Sequence, residues 1–465
     1  MGKKSKSKGI RSRKRTSGGT DPEALPASLE NAEKLVRQGN VAMGLGKHEA
    51  ALQIFSAAAI MYDKLRRKSQ NSDQPIEILL AKTKCQTGEA YASMGLVDLA
   101  TQEFRQGISE LESAQKNHDL VSMEEVHDVK ASLYMYMAQS SEGSEALEFF
   151  TKGSQELKLR WDCLKSIKDH VPGTPMPMEE EEQKQVRKDQ LEDPEEAIED
   201  VKKRLCETQC AIAELYMTDL CMEDGAEQQC ESSLHAALEY CGASIENNQY
   251  SNVPPEVLQT MANLRLSQSR LDDATSAILA AYSKIEVGCK ALASISGFGD
   301  EEDEELEDPN SQKAQELMNT EEVLQLPGQE FRVQTAKLLL ECANSLIGDK
   351  AGEELGNQCA EAAIQVLGSV LAEMDEIIEV WYLIGSAAMA SSPPNYEMAY
   401  HHWMRALEML ETCVEQLQNE GGSELAQIEG DEEDQMEMIE TQIKNVKERI
   451  NEIKDKVDLE DEEEN

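Results

Sequence analysis

Small and bulky apolar positions return along this chain in a fixed order. In the first copy Leu35 and Gly39 lie one turn apart, Gly46 follows, and Ala51, Phe55 and Ala58 stand at i, i+4 and i+7. Gly88, Gly95, Ala100, Phe104 and Gly107 repeat it; Gly39 to Ala51 and Gly88 to Ala100 are both 12 residues. Apolar residues three and four apart mark one face of a helix, and a glycine between two such runs marks a turn. Each copy therefore reads as a helical hairpin. A third holds Leu133, Tyr134, Met137, Ala146, Phe150 and Gly153, and a fourth, over roughly 195–243, holds Ala213, Ala226 and Ser233. The fifth has Pro255 just inside a helix start, then Leu258, Met261, Ala262, Ala274, Ile278 and Ala281. Leu339, Cys342, Ala343, Ala360, Ile364 and Leu367 form the sixth, and Trp381, Ile384, Gly385, Ala399, Trp403 and Ala406 the seventh.

A bulky, a branched and a small residue on one helix, then small, aromatic and small on the next, is the pattern of a tetratricopeptide repeat. One such hairpin cannot bury its apolar face alone, so the copies are expected to stack. The fold expected is an all-α tetratricopeptide-repeat superhelical solenoid of about seven hairpins over residues 26–418, with Trp381 in its core. Two acidic insertions interrupt it, near 172–193 and 297–312; the second carries eight acids between residues 300 and 308. Residues 419–465 read as an acidic linker, a helix with Ile439, Ile443, Val446, Ile450, Ile453 and Val457 on one face, and an acidic tail. That helix caps the stack or lies loosely against it.

Charge narrows the partners. The chain holds 90 acidic and 45 basic residues, and eight of the basic ones fall in residues 1–15, where there is no acid. The body is thus strongly negative, which repels nucleic-acid phosphate and anionic lipid and attracts basic proteins. Direct nucleic-acid binding by the solenoid is not expected. Lys3, Lys4, Lys6, Lys8, Arg11, Arg13, Lys14 and Arg15, set among Ser and Gly in a disordered segment 1–25, read first as a nuclear-targeting tract for an import receptor, with a contact to RNA or acidic protein and a solvated tail as the alternatives. The eleven cysteines include no C-x-x-C pair and read as buried, reduced, small hydrophobes. With no signal peptide and no membrane-length apolar run, a soluble intracellular protein is expected.

No catalytic constellation emerges. There is no phosphate-binding glycine loop, H-E-x-x-H or Gly-x-Ser-x-Gly, and His401, His402 and Glu397 on one helix are too few for a metal site. No enzyme activity, cofactor or metal is expected. Function should then lie on the concave side, lined by the first helix of each hairpin. The residue after the small one points there: Asn40, Glu89, Met135, Glu214 in one register, Asn263, Asn344 and Ser386. Amides can hold an extended peptide backbone, and carboxylates prefer Lys or Arg. Glu33, Glu256 and Glu379, seven residues earlier on three of these helices, extend the acidic lining. A groove gripping an acidic C-terminus is excluded, since Val36, Gln86 and Glu89 stand where cations would be needed.

The segment LPGQEFRVQTAKLLLECANSL with DEIIEVWYLIGSAA, and above all Arg332, Leu338 to Glu341 and Val380 to Gly385, resembles the eukaryotic family of dedicated assembly chaperones for large-subunit ribosomal protein four. The basic start, first hairpins and acidic tail agree with that family; Ser386 and the length of the 300–308 insert depart from it. The resemblance implies capture of the newly made ribosomal protein, chiefly its long basic internal loop. It also implies escort from cytoplasm to nucleus and nucleolus for loading onto the assembling 60S subunit. A nuclear histone chaperone with acid-interrupted repeats, or a general protein scaffold, is the alternative reading of the same residues.

Overall fold

The structure is a computed structural model, and it describes residues 28–68, 76–114, 120–169, 194–243, 250, 252–298, 317–347, 352–420 and 431–463. Every regular element among them is a helix. The first unit holds α1 (Leu29–Gly44), α2 (His48–Lys68), α3 (Ile76–Ala92), α4 (Val97–Ala114), α5 (Leu120–Gln139) and α6 (Gly143–Asp169). There follow α7 (Pro194–Met217), α8 (Ala226–Tyr240), α9 (Pro255–Ser267), α10 (Leu271–Ile295) and the short α11 (Glu321–Leu324). The chain continues through α12 (Gln329–Leu346), α13 (Glu353–Leu371), α14 (Ile378–Ala390), α15 (Tyr396–Glu420) and α16 (Asp431–Glu463). Among the described residues seven successive helix pairs result, as the periodicity predicts, with α11 and α16 outside them. Two compact units form, residues 1–201 and 202–465, the break falling inside α7.

The repeated glycines have a steric cause. A Cβ on Gly39 would stand 2.3 Å from the Phe55 ring, on Gly88 2.2 Å from that of Phe104, and on Gly385 2.5 Å from that of Trp403. Each aromatic of a second helix thus lies against the backbone of the first, a contact only glycine permits. The turns match as closely. Gly46 and Gly95 take φ of +66° and +74°, and the amides of Lys47 and Leu96 reach back to the carbonyls of Ala42 and Tyr91, both at 2.9 Å. In the third hairpin Tyr134 occupies the small position and stacks on Phe149, with ring centroids 6.5 Å apart. In the fourth, Ala213, Ala226 and Ser233 are buried while Glu214 reaches the surface, which fixes the register.

Trp381 is the exception to the expected core. Trp403 is 2% exposed and donates its indole N–H to the Tyr382 carbonyl at 3.1 Å. Trp381 is only partly buried: its indole donates to the Asp375 carbonyl at 2.8 Å, and its ring lies against His402. The reason is rotational. Gly385 is the residue whose missing side chain makes the hole, and it faces the second helix, whereas Trp381 sits four residues earlier at the edge of that face. The end helix caps the unit: Val446, Ile450 and Ile453 of α16 cover Trp403, Leu407 and Leu410.

Arg332, singled out by the resemblance, is a structural residue. At 2% exposure it donates from Nε to the Pro327 carbonyl at 3.1 Å and from Nη1 to the Ser369 hydroxyl at 3.0 Å, and it pairs with Glu373. It ties the start of α12 to the end of α13. No helix among the described residues is long and apolar enough to cross a membrane.

Candidate peptide-binding face

First helices of successive hairpins are linked side to side by polar groups, so within each unit they present a common face. In the first unit Gln86 of α3 donates Nε2 to Asn40 Oδ1 of α1 at 3.0 Å. Lys82 of α3 reaches Glu125 of α5 at 2.6 Å. In the second unit Thr260 of α9 donates its hydroxyl to Glu214 Oε1 of α7 at 3.0 Å. Lys337 of α12 pairs with Glu379 of α14 at 2.7 Å.

The expected groove residues fall on this framework unevenly. Asn40 is exposed on α1, with Glu33 two turns before it and Glu89 across on α3, next to Gln86. Glu33 is partly buried beside Tyr62, whose hydroxyl is pushed up to about 12 by burial and, secondarily, by the Glu33 charge. Glu214 meets α9 at Thr260, one turn after Glu256, whose backbone carbonyl the same hydroxyl also approaches. Asn263 follows on α9, partly buried, and Asn344 is exposed on α12. Glu379 is exposed and paired with Lys337, and Asn40 already shares its amide oxygen with Gln86. Lys3 to Arg15 lie outside the described residues.

Two of the carboxylates have unusual surroundings. Burial pushes the Glu89 carboxyl above its ordinary value. It does the same at Glu214, although that residue still reaches solvent and the Thr260 hydroxyl pulls the other way. Neither carboxylate has an ion pair among the described residues. A partly dehydrated carboxylate lacking a cation is a receptor for an incoming ammonium or guanidinium.

Gln86, Thr260 and Lys337 were absent from the sequence-derived set, though a signal for two of them existed. Gln86 and Thr260 stand three residues before Glu89 and Asn263, on the same helix face. Lys337 stands seven before Asn344, where α1, α9 and α14 carry Glu33, Glu256 and Glu379. Its positive sign broke the pattern. His402, by contrast, is spent on packing between Phe298 and Trp381, and its Nδ1 bonds the Met398 carbonyl at 2.8 Å. No cluster of metal-binding type occurs among the described residues.

Charge is partitioned between the units. Residues 28–169 hold 21 acidic and 17 basic residues, whereas residues 202–420 hold 39 and 12. In the first unit cations meet acids inside the stack: Arg160 is buried against Glu124, Asp128 and Asp200, and Lys84 pairs with Glu103. The first-helix face of the second unit carries Glu214, Glu256, Glu341 and Glu379 against Lys337.

The interlocked glycines and aromatics, repeated with their turns, make the chain a tetratricopeptide-repeat protein. No family model matches it. It is similar to a protein of Schizosaccharomyces pombe (strain 972) described as a probable assembly chaperone of rpl4, 26% identical over 332 residues, or 71% of this chain and 68% of that protein. The resemblance read from the sequence thus agrees with a relative of that description. Among solved structures it is similar to "Assembly Chaperone of RpL4 (Acl4)", residues 1–338, at a TM-score of 0.47 and 22% identity, covering 77% of this chain and 95% of that one. A thermophilic tetratricopeptide-repeat protein of Thermus thermophilus is similar at a TM-score of 0.26 and 17% identity, over 54% of this chain and 90% of that one.

Proposed function

We propose that this protein is a dedicated, non-catalytic chaperone of large-subunit ribosomal protein four, which holds that protein's basic internal loop on the first-helix face until it is loaded onto the assembling 60S subunit. The similarity to a relative described as a probable assembly chaperone of rpl4 supports the choice of client. The observation that carries the mechanism is Glu214: a carboxylate on the first-helix face that reaches solvent, bonded to the neutral Thr260 hydroxyl and set in the unit with the larger acidic surplus. A Lys- or Arg-rich segment without structure of its own supplies the missing cations. Such a segment binds by charge-assisted hydrogen bonds and is released when ribosomal RNA phosphate competes for the same cations. Residues 3–15 would deliver the pair to an import receptor, the complex shuttling between cytoplasm and nucleus and reaching the nucleolus.

The test is a titration of the purified chain with the isolated basic loop and, in parallel, with core histones at near-physiological ionic strength. The loop should bind more tightly than histones, and Glu89→Lys with Glu214→Lys should weaken it about tenfold or more. Tighter histone binding would instead support a histone chaperone. Equal, weak binding of any basic chain would reduce the protein to a general scaffold.

A further inference from the structure

The fourth hairpin contains a feature that client binding does not use. Cys206, in the middle of α7, and Cys241, the residue that ends α8, are 35 residues apart in sequence, yet their sulfurs lie 3.0 Å apart. Both belong to the second unit. Cys206 is buried at 2% exposure, whereas Cys241 is only partly buried. Cys210 lies one turn further along α7, buried as well. All eleven cysteines are free thiols in this structure.

We propose that Cys206 and Cys241 are an oxidation site, a dithiol that closes to a disulfide and staples α7 to the end of α8. A disulfide needs sulfurs at about 2 Å, so the pair has to close by roughly 1 Å. The step balances with a peroxide as oxidant. Cys241, the more accessible thiol, attacks one peroxide oxygen; the O–O bond breaks, a sulfenic acid forms, and one water leaves with the thiol proton. The Cys206 sulfur then attacks the Cys241 sulfur, the S–O bond breaks, the S–S bond forms, and a second water carries off the Cys206 proton. Two thiols lose two electrons and one peroxide becomes two waters.

The surroundings set the threshold. The contact in which Cys241 gives its S–H to Cys206 and burial both hold Cys241 as a thiol, Cys206 is likewise held up as a thiol, and the nearby Glu256 charge disfavours either thiolate. The thiolate is the attacking species, so the pair reacts slowly with mild oxidants. It closes under sustained peroxide, and once the first sulfur is oxidised the second is already in contact. The cross-link then removes freedom from the unfolded chain and stabilises the hairpin.

The test uses the full chain in native buffer, treated with hydrogen peroxide, quenched by alkylation, and digested without reductant. The expected result is a Cys206–Cys241 linked peptide and a melting temperature several degrees higher, both reversed by dithiothreitol. Cys241→Ser and Cys206→Ser should each abolish the peptide and the shift, and Cys221→Ser should abolish neither. Should Cys206→Ser fail to fold, the partly exposed Cys241→Ser variant decides alone. Oxidation of exposed Cys221 without the linked peptide, or a linked peptide seen only in urea, would overturn the proposal. A linked peptide without a rise in melting temperature would overturn the stapling.

Discussion

Replacing Trp403 by alanine should damage the last hairpin far more than replacing Trp381. Trp403 buries nearly all of a side chain worth roughly 200 Å², or about 5 kcal/mol at ~25 cal/mol per Å². It lies on Gly385, under Val446 and Ile450, and holds the Tyr382 carbonyl. Alanine retains a little of the burial and leaves a cavity, so a loss of about 4–5 kcal/mol is expected, within the usual range for a buried tryptophan. Trp381 is only partly buried, and its alternative partner is water, so its loss should cost about 2–3 kcal/mol. Urea unfolding followed by circular dichroism at 25 °C measures both, with near-ultraviolet ellipticity reporting on the tryptophan environments. Equal losses, or a larger one at Trp381, would refute the placement of Trp403 as the aromatic seated on glycine.

Three further outcomes follow from the geometry. Glu89→Gln and Glu214→Gln should each stabilise the free chain at neutral pH while weakening basic-peptide binding. Both carboxyls are raised in the folded state, so the native chain holds their protons longer, and stability falls as pH rises through the window from the unfolded to the folded value. The gain over wild type should vanish below that window, and melting curves over pH check it; destabilised variants at pH 7 would contradict the burial. Arg332→Ala should cost about 2–3 kcal/mol, since it removes a buried side chain that bonds the Pro327 carbonyl, the Ser369 hydroxyl and Glu373 at the α12–α13 junction; a change under about 1 kcal/mol, seen in chemical denaturation, would count against that role. Residues 1–20 fused to an inert reporter should gather it in the nucleus, and a reporter left in the cytoplasm would assign entry to another segment.

Much of the fold could be read from spacing, because the interlock of Gly39 with Phe55 and of Gly88 with Phe104 writes itself as a fixed 16-residue interval in the sequence. That rule loosens where the turn lengthens: Gly385 and Trp403 are 18 apart, and of two tryptophans only three-dimensional packing distinguishes the one in the hole. The α11 turn was invisible. Its Glu322 carbonyl lies so close to Gly288 that a Cβ there would be 2.5 Å away, a contact made across an acidic insertion with no periodicity. The binding face was legible as positions but not as partners. Glu379 and Asn40 look open in sequence, and only the structure brings Lys337 and Gln86 to them.

The most direct test of the central claim is where the client touches the chain. A photo-crosslinking amino acid placed in turn at Asn40, on the first-helix face of the first unit, at Asn263 and Asn344, on that of the second, and at Gln102 and Ser109 on α4, a second helix, would be exposed to ribosomal protein four. Crosslinks to the basic internal loop from the first three positions, absent from the α4 positions and lost as salt rises, are the predicted result. Crosslinks concentrated on α4, or to the folded body of the client and indifferent to salt, would contradict it.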